Sequence, residues 1–144
     1  MPAGLGWHPY FPSKGAEVRA DTAAIWRSSA DKIPKPPEAV LPEEDLRPGK
    51  TVSYLALDNC FEIGARNAHI AWPSKGVELT LSWSEPGGRL IVFTPKGADF
   101  FCVEPVTHAP DAVNSDLPPR QTGLQRLEPG ARLELKIRLE VARS

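Results

Sequence analysis

Three ionisable side chains in this sequence sit beside groups that restrain them, and together they could move protons. His8 lies in GWHPYFP, between Trp7 and Pro9. A residue that precedes proline is held to extended backbone, so its imidazole is aimed rather than free. Glu104 closes the apolar run FFCV and precedes Pro105. Partial desolvation in such a place raises a carboxyl's pKa and makes it a better base near neutral pH. Asp58, in LALDNC, ends an apolar stretch and is followed by Asn59. A histidine and a raised glutamate whose pKa values approach each other are suited to general acid–base catalysis.

Each of the three has a plain structural alternative. His8 could be a packed histidine in an aromatic cluster with Trp7, Tyr10 and Phe11. Asp58 could be a turn residue bonding nearby backbone N–H groups. Glu104 could be an exposed rim residue. The functional reading of Glu104 is favoured by Thr107, His108, Asp111 and Asn114, which crowd the next ten positions. His69 alternates out of phase with Ala68, Ile70 and Trp72 and reads as a surface residue. The four tryptophans read as core, although aromatic faces also pack on sugar rings. Cys60 and Cys102 lie two residues from Asp58 and Glu104, so in extended chain each shares its carboxylate's face and packs beneath the site.

The elements that must position these groups are strands. VELTLSW alternates Val77, Leu79, Leu81 and Trp83 with polar residues, and RLELKIRLEV alternates from Leu133 to Val141. Each predicts a strand with one wet and one dry face, as in antiparallel sheets. RLIVF and DFFCVEP read as short buried strands, the second ended by Pro105, and AHIAWP as a weaker one. AEVRADTAAIWR reads as a pair of strands turning near Ala20-Asp21, and PGKTVSYLALD as a returning strand. The run IPKPPEAVLPEEDLRPG carries prolines at 34, 36, 37, 42 and 48, so it predicts a surface loop or lid with at most one helical turn near Pro42–Leu46. The expected fold is all-β, an antiparallel β-sandwich forming a single domain over residues 1–144.

Composition narrows the function classes. The 144 residues carry 17 Lys plus Arg against 18 Asp plus Glu. That balance leaves no basic footprint for nucleic acid or anionic lipid. The longest apolar runs fall far short of the ~18–20 residues of a membrane span. MPAGLGWHPY has neither a basic start nor a long apolar stretch, so no secretion signal is expected. The spacing of the two cysteines fits neither a disulfide framework nor a metal motif. A reduced, cytoplasmic protein without metal or other cofactor is the expectation.

GLGWHPYF, LDNCF and FCVEPVTHAPDAVN, in that order, are followed by G-L-x-x-L-x-P-G from Gly123 to Gly130 and a closing alternating strand. Over nearly the whole chain this pattern resembles the aldose 1-epimerases, the galactose mutarotases. The resemblance implies a large antiparallel β-sandwich, the galactose-mutarotase-like supersandwich, with a sugar bound on its concave surface. It makes His8 the general acid, Glu104 the general base and Asp58 a holder of sugar hydroxyls. Tyr10, Phe11 and Asn59, beside these residues, are expected as further substrate contacts. The implied reaction interconverts α and β anomers of an aldohexose by opening and closing the ring, with no metal, nucleotide or covalent intermediate. Galactose, glucose and related aldoses offer the same reacting atoms. A hexose phosphate would need an arginine at the site, for which Arg66 and Arg120 are the guesses.

Members of that family are roughly twice this length, and the resemblance covers their C-terminal half. The other half brings an Asn-Arg segment and a further histidine, and neither has a counterpart here. Met1-Pro2 matches a mid-chain position of the family, so Met1 is read as an internal methionine or the start of a half-gene. A half-fold leaves sheet edges and apolar faces uncovered, which predicts a homodimer or pairing with the missing N-terminal half. Two alternatives stay open at this point: a non-catalytic carbohydrate-binding or interaction remnant, and a glycosidase using Asp58 and Glu104 as a carboxylate pair.

Overall fold

The alternating segments converge on one long strand. The computed structural model describes residues 1–27 and 35–143. In chain order the strands are β1 (Pro2–Ala3), β2 (Tyr10–Pro12), β3 (Glu17–Trp26), β4 (Lys50–Thr51), β5 (Asp58–Trp72), β6 (Val77–Trp83), β7 (Arg89–Phe93), β8 (Phe100–Val106), β9 (Gln125–Arg126) and β10 (Ile137–Arg143). One short helix, α1 (Pro119–Thr122), lies among the described residues. All ladders are antiparallel. No helix among the described residues is long and apolar enough to cross a membrane.

β5 is the spine. One of its edges pairs with β3 along most of its length. Its other edge is shared, residues 67–72 pairing with β6 and residues 58–62 with β7. The sheet therefore divides into two wings, β6–β10 and β7–β8–β2. Leu79, Leu81 and Trp83 of one wing and Leu90, Val92, Phe101 and Val103 of the other bury into the same core, with Phe61, Ala68 and Ile70 of the spine between them.

Several elements differ from the sequence expectation. AEVRADTAAIW does not turn at Ala20-Asp21. It is the single strand β3, with register shifts between Ala20 and Thr22 and between Thr22 and Ala24. Such bulges bend a strand without ending it, so they reset the alternation that made the segment look like two. AHIAWP is the second half of β5 rather than a separate strand, and Asp58 begins β5 instead of closing an earlier strand. The PGKTVSYLALD segment is not one returning strand: the two-residue β4 is followed by a 3₁₀ turn, Val52–Tyr54. β8 runs through Pro105 to Val106. This proline needs no ladder N–H there, and its carbonyl accepts from Trp7 N–H at 3.1 Å. β10 begins only at Ile137, and Leu139 and Val141 are 45% and 65% exposed. The dry face foreseen for that strand is present in the sequence but not covered.

The proline-rich run is a strap rather than a lid, as far as it is described; Ile33 and Pro34 lie outside the described residues. Glu38 bridges Ile25 of β3, Leu46 is fully buried in the core, and Glu44 takes both Arg27 guanidinium nitrogens at 2.7 Å. Asp45 fixes the end of the strap. It accepts from the Arg47 guanidinium and backbone at 2.9 Å and from the Thr22 hydroxyl at 3.3 Å, while that hydroxyl accepts from Leu46 N–H. The Arg47 guanidinium beside it holds the Asp45 carboxyl at about 2. A carboxyl lowered in the folded state contributes stability above its ordinary pKa and loses it as pH falls through the folded value. Urea midpoints should therefore fall between pH 4 and pH 2 by more in the native chain than in Asp45→Asn. The difference should stay below about 1 kcal/mol because the Arg47 partner is solvent-exposed.

Candidate functional site

The face of β7, β8 and the first part of β5 that turns away from the main core carries the chemistry. Alternation sends Leu90, Val92, Phe101 and Val103 inward, so Arg89, Ile91, Phe93, Cys102, Glu104 and Val106 share the other face. Cross-strand register sorts these into rows. Asp58, Phe93, Cys102 and Tyr10 form one row. Cys60, Ile91 and Glu104 form the next, and Glu62, Arg89, Val106 and Gly6 the third.

His8 enters the middle row from outside the ladder. Gly6 bridges Val106, Trp7 N–H donates to the Pro105 carbonyl, and Tyr10 pairs with Cys102. The residue between these anchors is held opposite Glu104, and its Nε2 lies 3.2 Å from Glu104 Oε1. The Tyr10 ring stacks on the imidazole, with centroids 4.9 Å apart and planes 21° apart, and leans in turn on Phe100. These contacts explain the stiff aromatic setting of His8: proline and register fix the backbone, and Tyr10 fixes the ring.

Glu104 is buried, and burial raises its pKa. The charge of Asp58 raises it further, while His8 works in the opposite direction. A cavity of about 410 Å³ opens over the pair, and its lining includes His8, Asp58, Asn59, Cys60, Ile91 and Glu104. Asp58 is exposed at its edge, and Asn59 turns its Oδ1 back to the Asp58 N–H at 3.4 Å. The structure thus brings His8, Glu104, Asp58 and Asn59 together, with Tyr10 adjacent.

Phe11 is a correction. It is buried against Phe101, centroids 5.8 Å apart, in the main core. Period-two alternation in β2 turns it away from the face that Tyr10 occupies, so it cannot touch a ligand there. Arg66 pairs with Glu85, and neither Arg66 nor Arg120 lines the cavity. The residues after Glu104 are scaffold. The Thr107 hydroxyl accepts from Leu5 N–H at 2.8 Å, His108 packs on Gly4, and Asn114 donates to Asp111 within a turn.

Sequence reasoning missed the ion pair beneath the cavity. Arg89 Nε lies 2.8 Å from Glu62 Oε1, an ionic contact without aligned hydrogen-bond geometry. Trp26 Nε1 donates to the same oxygen at 2.7 Å, and the guanidinium lies 5.4 Å from the Trp26 ring centroid. Arg89 also donates to the Gln121 carbonyl at 2.5 Å and lies 3.5 Å from the Thr107 carbonyl. It thereby ties both ends of the 107–121 segment to the sheet. The available signal was period two, since Asp58, Cys60 and Glu62 follow one another on one face. Cys60 joins Trp26, Val106 and Ala109 in a small apolar cluster there.

Residues 1–140 match the family model described as aldose 1-epimerase. The chain belongs to the aldose 1-epimerase family. An aldose 1-epimerase candidate from Escherichia coli K12 superposes with a TM-score of 0.81 at 28% identity, covering 100% of this chain and 52% of that one. A galactose mutarotase-like protein from Clostridium acetobutylicum gives a TM-score of 0.85 at 20% identity, covering 100% of this chain and 48% of that one, a likeness of fold. The uncharacterized protein YphB of Escherichia coli K12 is 29% identical over 120 residues, 77% of this chain and 41% of that protein. This family member thus spans about half the length of the relatives it matches.

The cradle around Arg89 gives a sharp test. Gly123 has φ +76°, and a Cβ there would stand 2.1 Å from Arg89 Nη1 and 2.3 Å from the Thr107 carbonyl. Gly130 has a similar φ of +82° with nothing near its Cβ position. Gly130→Ala should cost about 1 kcal/mol from backbone strain alone. Gly123→Ala should cost at least about 1 kcal/mol more in urea unfolding, because the added methyl must displace the guanidinium or a backbone carbonyl.

Proposed function

We propose that this protein interconverts the α and β anomers of an aldohexose, with Glu104 as general base and His8 as general acid. The observation that carries the reading is the 3.2 Å contact of His8 Nε2 with Glu104 Oε1 at the floor of an open cavity. Ring opening requires a proton to leave the anomeric hydroxyl and another to reach the ring oxygen. Those two oxygens are bonded to the same carbon. An acid and a base side by side on one face can therefore serve both atoms at once, without the opposed placement that a displacement at carbon would need.

In the productive state the pair holds one proton, on the imidazole. Glu104 takes the anomeric hydroxyl proton as His8 protonates the ring oxygen, and the C1–O5 bond breaks to give the aldehyde. Rotation about C1–C2 and reclosure, with both proton transfers reversed, gives the other anomer. Burial of Glu104 strengthens it as a base for this work. Asp58, exposed at the cavity edge, accepts hydrogen bonds from ring hydroxyls, and the exposed Tyr10 ring holds the His8 imidazole by stacking on it. Among the described residues none that lines the cavity is an arginine or lysine, which favours a neutral sugar over a phosphorylated one. Both cysteines are free and buried, which supports a reducing, cytoplasmic setting.

Polarimetry of freshly dissolved α-galactose and α-glucose tests this directly. The native chain should speed equilibration, and Glu104→Gln should lose about 10²–10⁴-fold of that acceleration. Saturable sugar binding with no acceleration over buffer would replace the reading with a carbohydrate-binding remnant. Release of a reducing sugar from a glycoside would point to a glycosidase instead.

The same reading expects self-association. Ile137 still packs on the core, but Leu139 and Val141, which pair with Leu81 and Leu79, continue the same face into solvent. Two copies together supply about the length of one relative, and a second copy laid along β10 would cover this strip. Sedimentation velocity should show a dimer that Val141→Glu shifts toward monomer. A native chain that stays monomeric at all concentrations would overturn the expectation.

A further inference from the structure

We infer that His8, Cys102 and Glu104 form a site for a thiophilic divalent cation such as Zn²⁺, and that its occupancy silences the acid–base pair. A His8 ring nitrogen, the Cys102 sulfur and a Glu104 oxygen all lie within 4.8 Å of one another. Backbone register sets that spacing. Cys102 and Glu104 are two apart on one face of β8, and His8 is held between the Gly6↔Val106 bridge and the Tyr10↔Cys102 pair. Zinc bonds imidazole nitrogen and carboxylate oxygen at ~2.0–2.2 Å and thiolate sulfur at ~2.3 Å, in tetrahedral geometry. Neighbouring donors around such an ion stand roughly 3.3–3.7 Å apart. The His8–Glu104 spacing of 3.2 Å already meets that need. The sulfur has to close in by at most roughly 1 Å, within reach of a χ1 adjustment.

The donor set decides the class of ion. One nitrogen, one sulfur and one oxygen suit Zn²⁺ or Co²⁺, whereas Mg²⁺ and Ca²⁺ select oxygen ligands. His8 and Glu104 of the set line the cavity, so a fourth ligand can reach the ion from that side. Occupancy is inhibitory rather than catalytic, because the ion takes the imidazole lone pair and the carboxylate oxygen that would otherwise exchange protons with a sugar. Cys60 makes a natural control: it is buried, free and on the same side of the sheet, but belongs to the apolar cluster of Trp26 and Val106. Binding stands without the epimerase reading, and only the inhibition rests on it.

The test uses the full chain, reduced and freed of metal by chelation, and titrated with Co²⁺. Tetrahedral cobalt absorption in the visible and a thiolate-to-cobalt charge-transfer band in the near ultraviolet are expected, both displaced by Zn²⁺. Cys102→Ala should lose the charge-transfer band and at least about 10-fold in affinity while keeping its sugar turnover, and Cys60→Ala should lose neither. His8→Ala, at an exposed side chain whose loss leaves the core untouched, should lose a similar factor in affinity. Absence of cobalt binding by the native chain, or equal binding by the Cys102 and Cys60 variants, would overturn the proposal. Zn²⁺ should abolish mutarotation in the native chain, reversibly on addition of chelator. Cobalt binding at Cys102 together with unchanged mutarotation under saturating Zn²⁺ would overturn the inhibition, and cobalt binding by a chain that never turns over sugar would sink the epimerase reading while leaving the metal site standing.

Discussion

The antiparallel run of the first dozen residues against β8 is the constraint on which the site depends. From the Leu5–Thr107 exchange through Gly6↔Val106 to Tyr10↔Cys102, successive backbone contacts leave the N-terminal segment one register. A slip of one residue would turn His8 off the face that Glu104 occupies and bring Phe11 out of the core. Hydrophobic burial of Phe11 against Phe101 and proton chemistry at His8 are therefore secured by the same pairing. The short β1–β9 ladder and the bond from the N-terminal ammonium to the Leu127 carbonyl at 2.7 Å fasten the start of this segment.

Charge is distributed unevenly over the functional face. The Glu62–Arg89 pair is braced by Trp26 and two backbone carbonyls, so the buried guanidinium has partners on several sides. Removal of either member of such a pair leaves the other without its counter-charge. One row away, Glu104 has a single cationic partner, and only when His8 is protonated. The first arrangement is static and anchors the 107–121 segment. The second can exchange its proton, because the cavity side of the pair is open.

Membership of the aldose 1-epimerase family and the half-length of the chain bear on the two wings differently. The β7–β8–β2 wing is covered on one face by the main core and over part of the other by the cluster of Trp26, Cys60, Val106 and Ala109, which leaves the cavity open beside it. The β6–β10 wing ends in a strand whose apolar side chains face water. Such an edge has ladder groups and hydrophobic area to offer a partner. The acid–base pair lies on the β7–β8–β2 wing, held by β8 and the N-terminal segment, so its geometry does not wait on what meets β10.

What the sequence by itself determined was local. Period-two alternation placed β6, short apolar runs placed β7 and β8, proline and apolar neighbours marked His8 and Glu104, and the ordered motifs carried the family resemblance. It did not reveal β3 as one strand, because bulges at Ala20–Ala24 reset the alternation on which that reading relied. It gave Phe11 the same standing as Tyr10, since adjacency in sequence does not say which neighbour faces the core. Only the tertiary structure decided that His8 meets Glu104, that Cys102 joins them, and that Glu62 finds Arg89. His8 and Glu104 stand far apart in the chain, and their distance is set by hydrogen-bond register between strands, a quantity no local pattern of residues encodes.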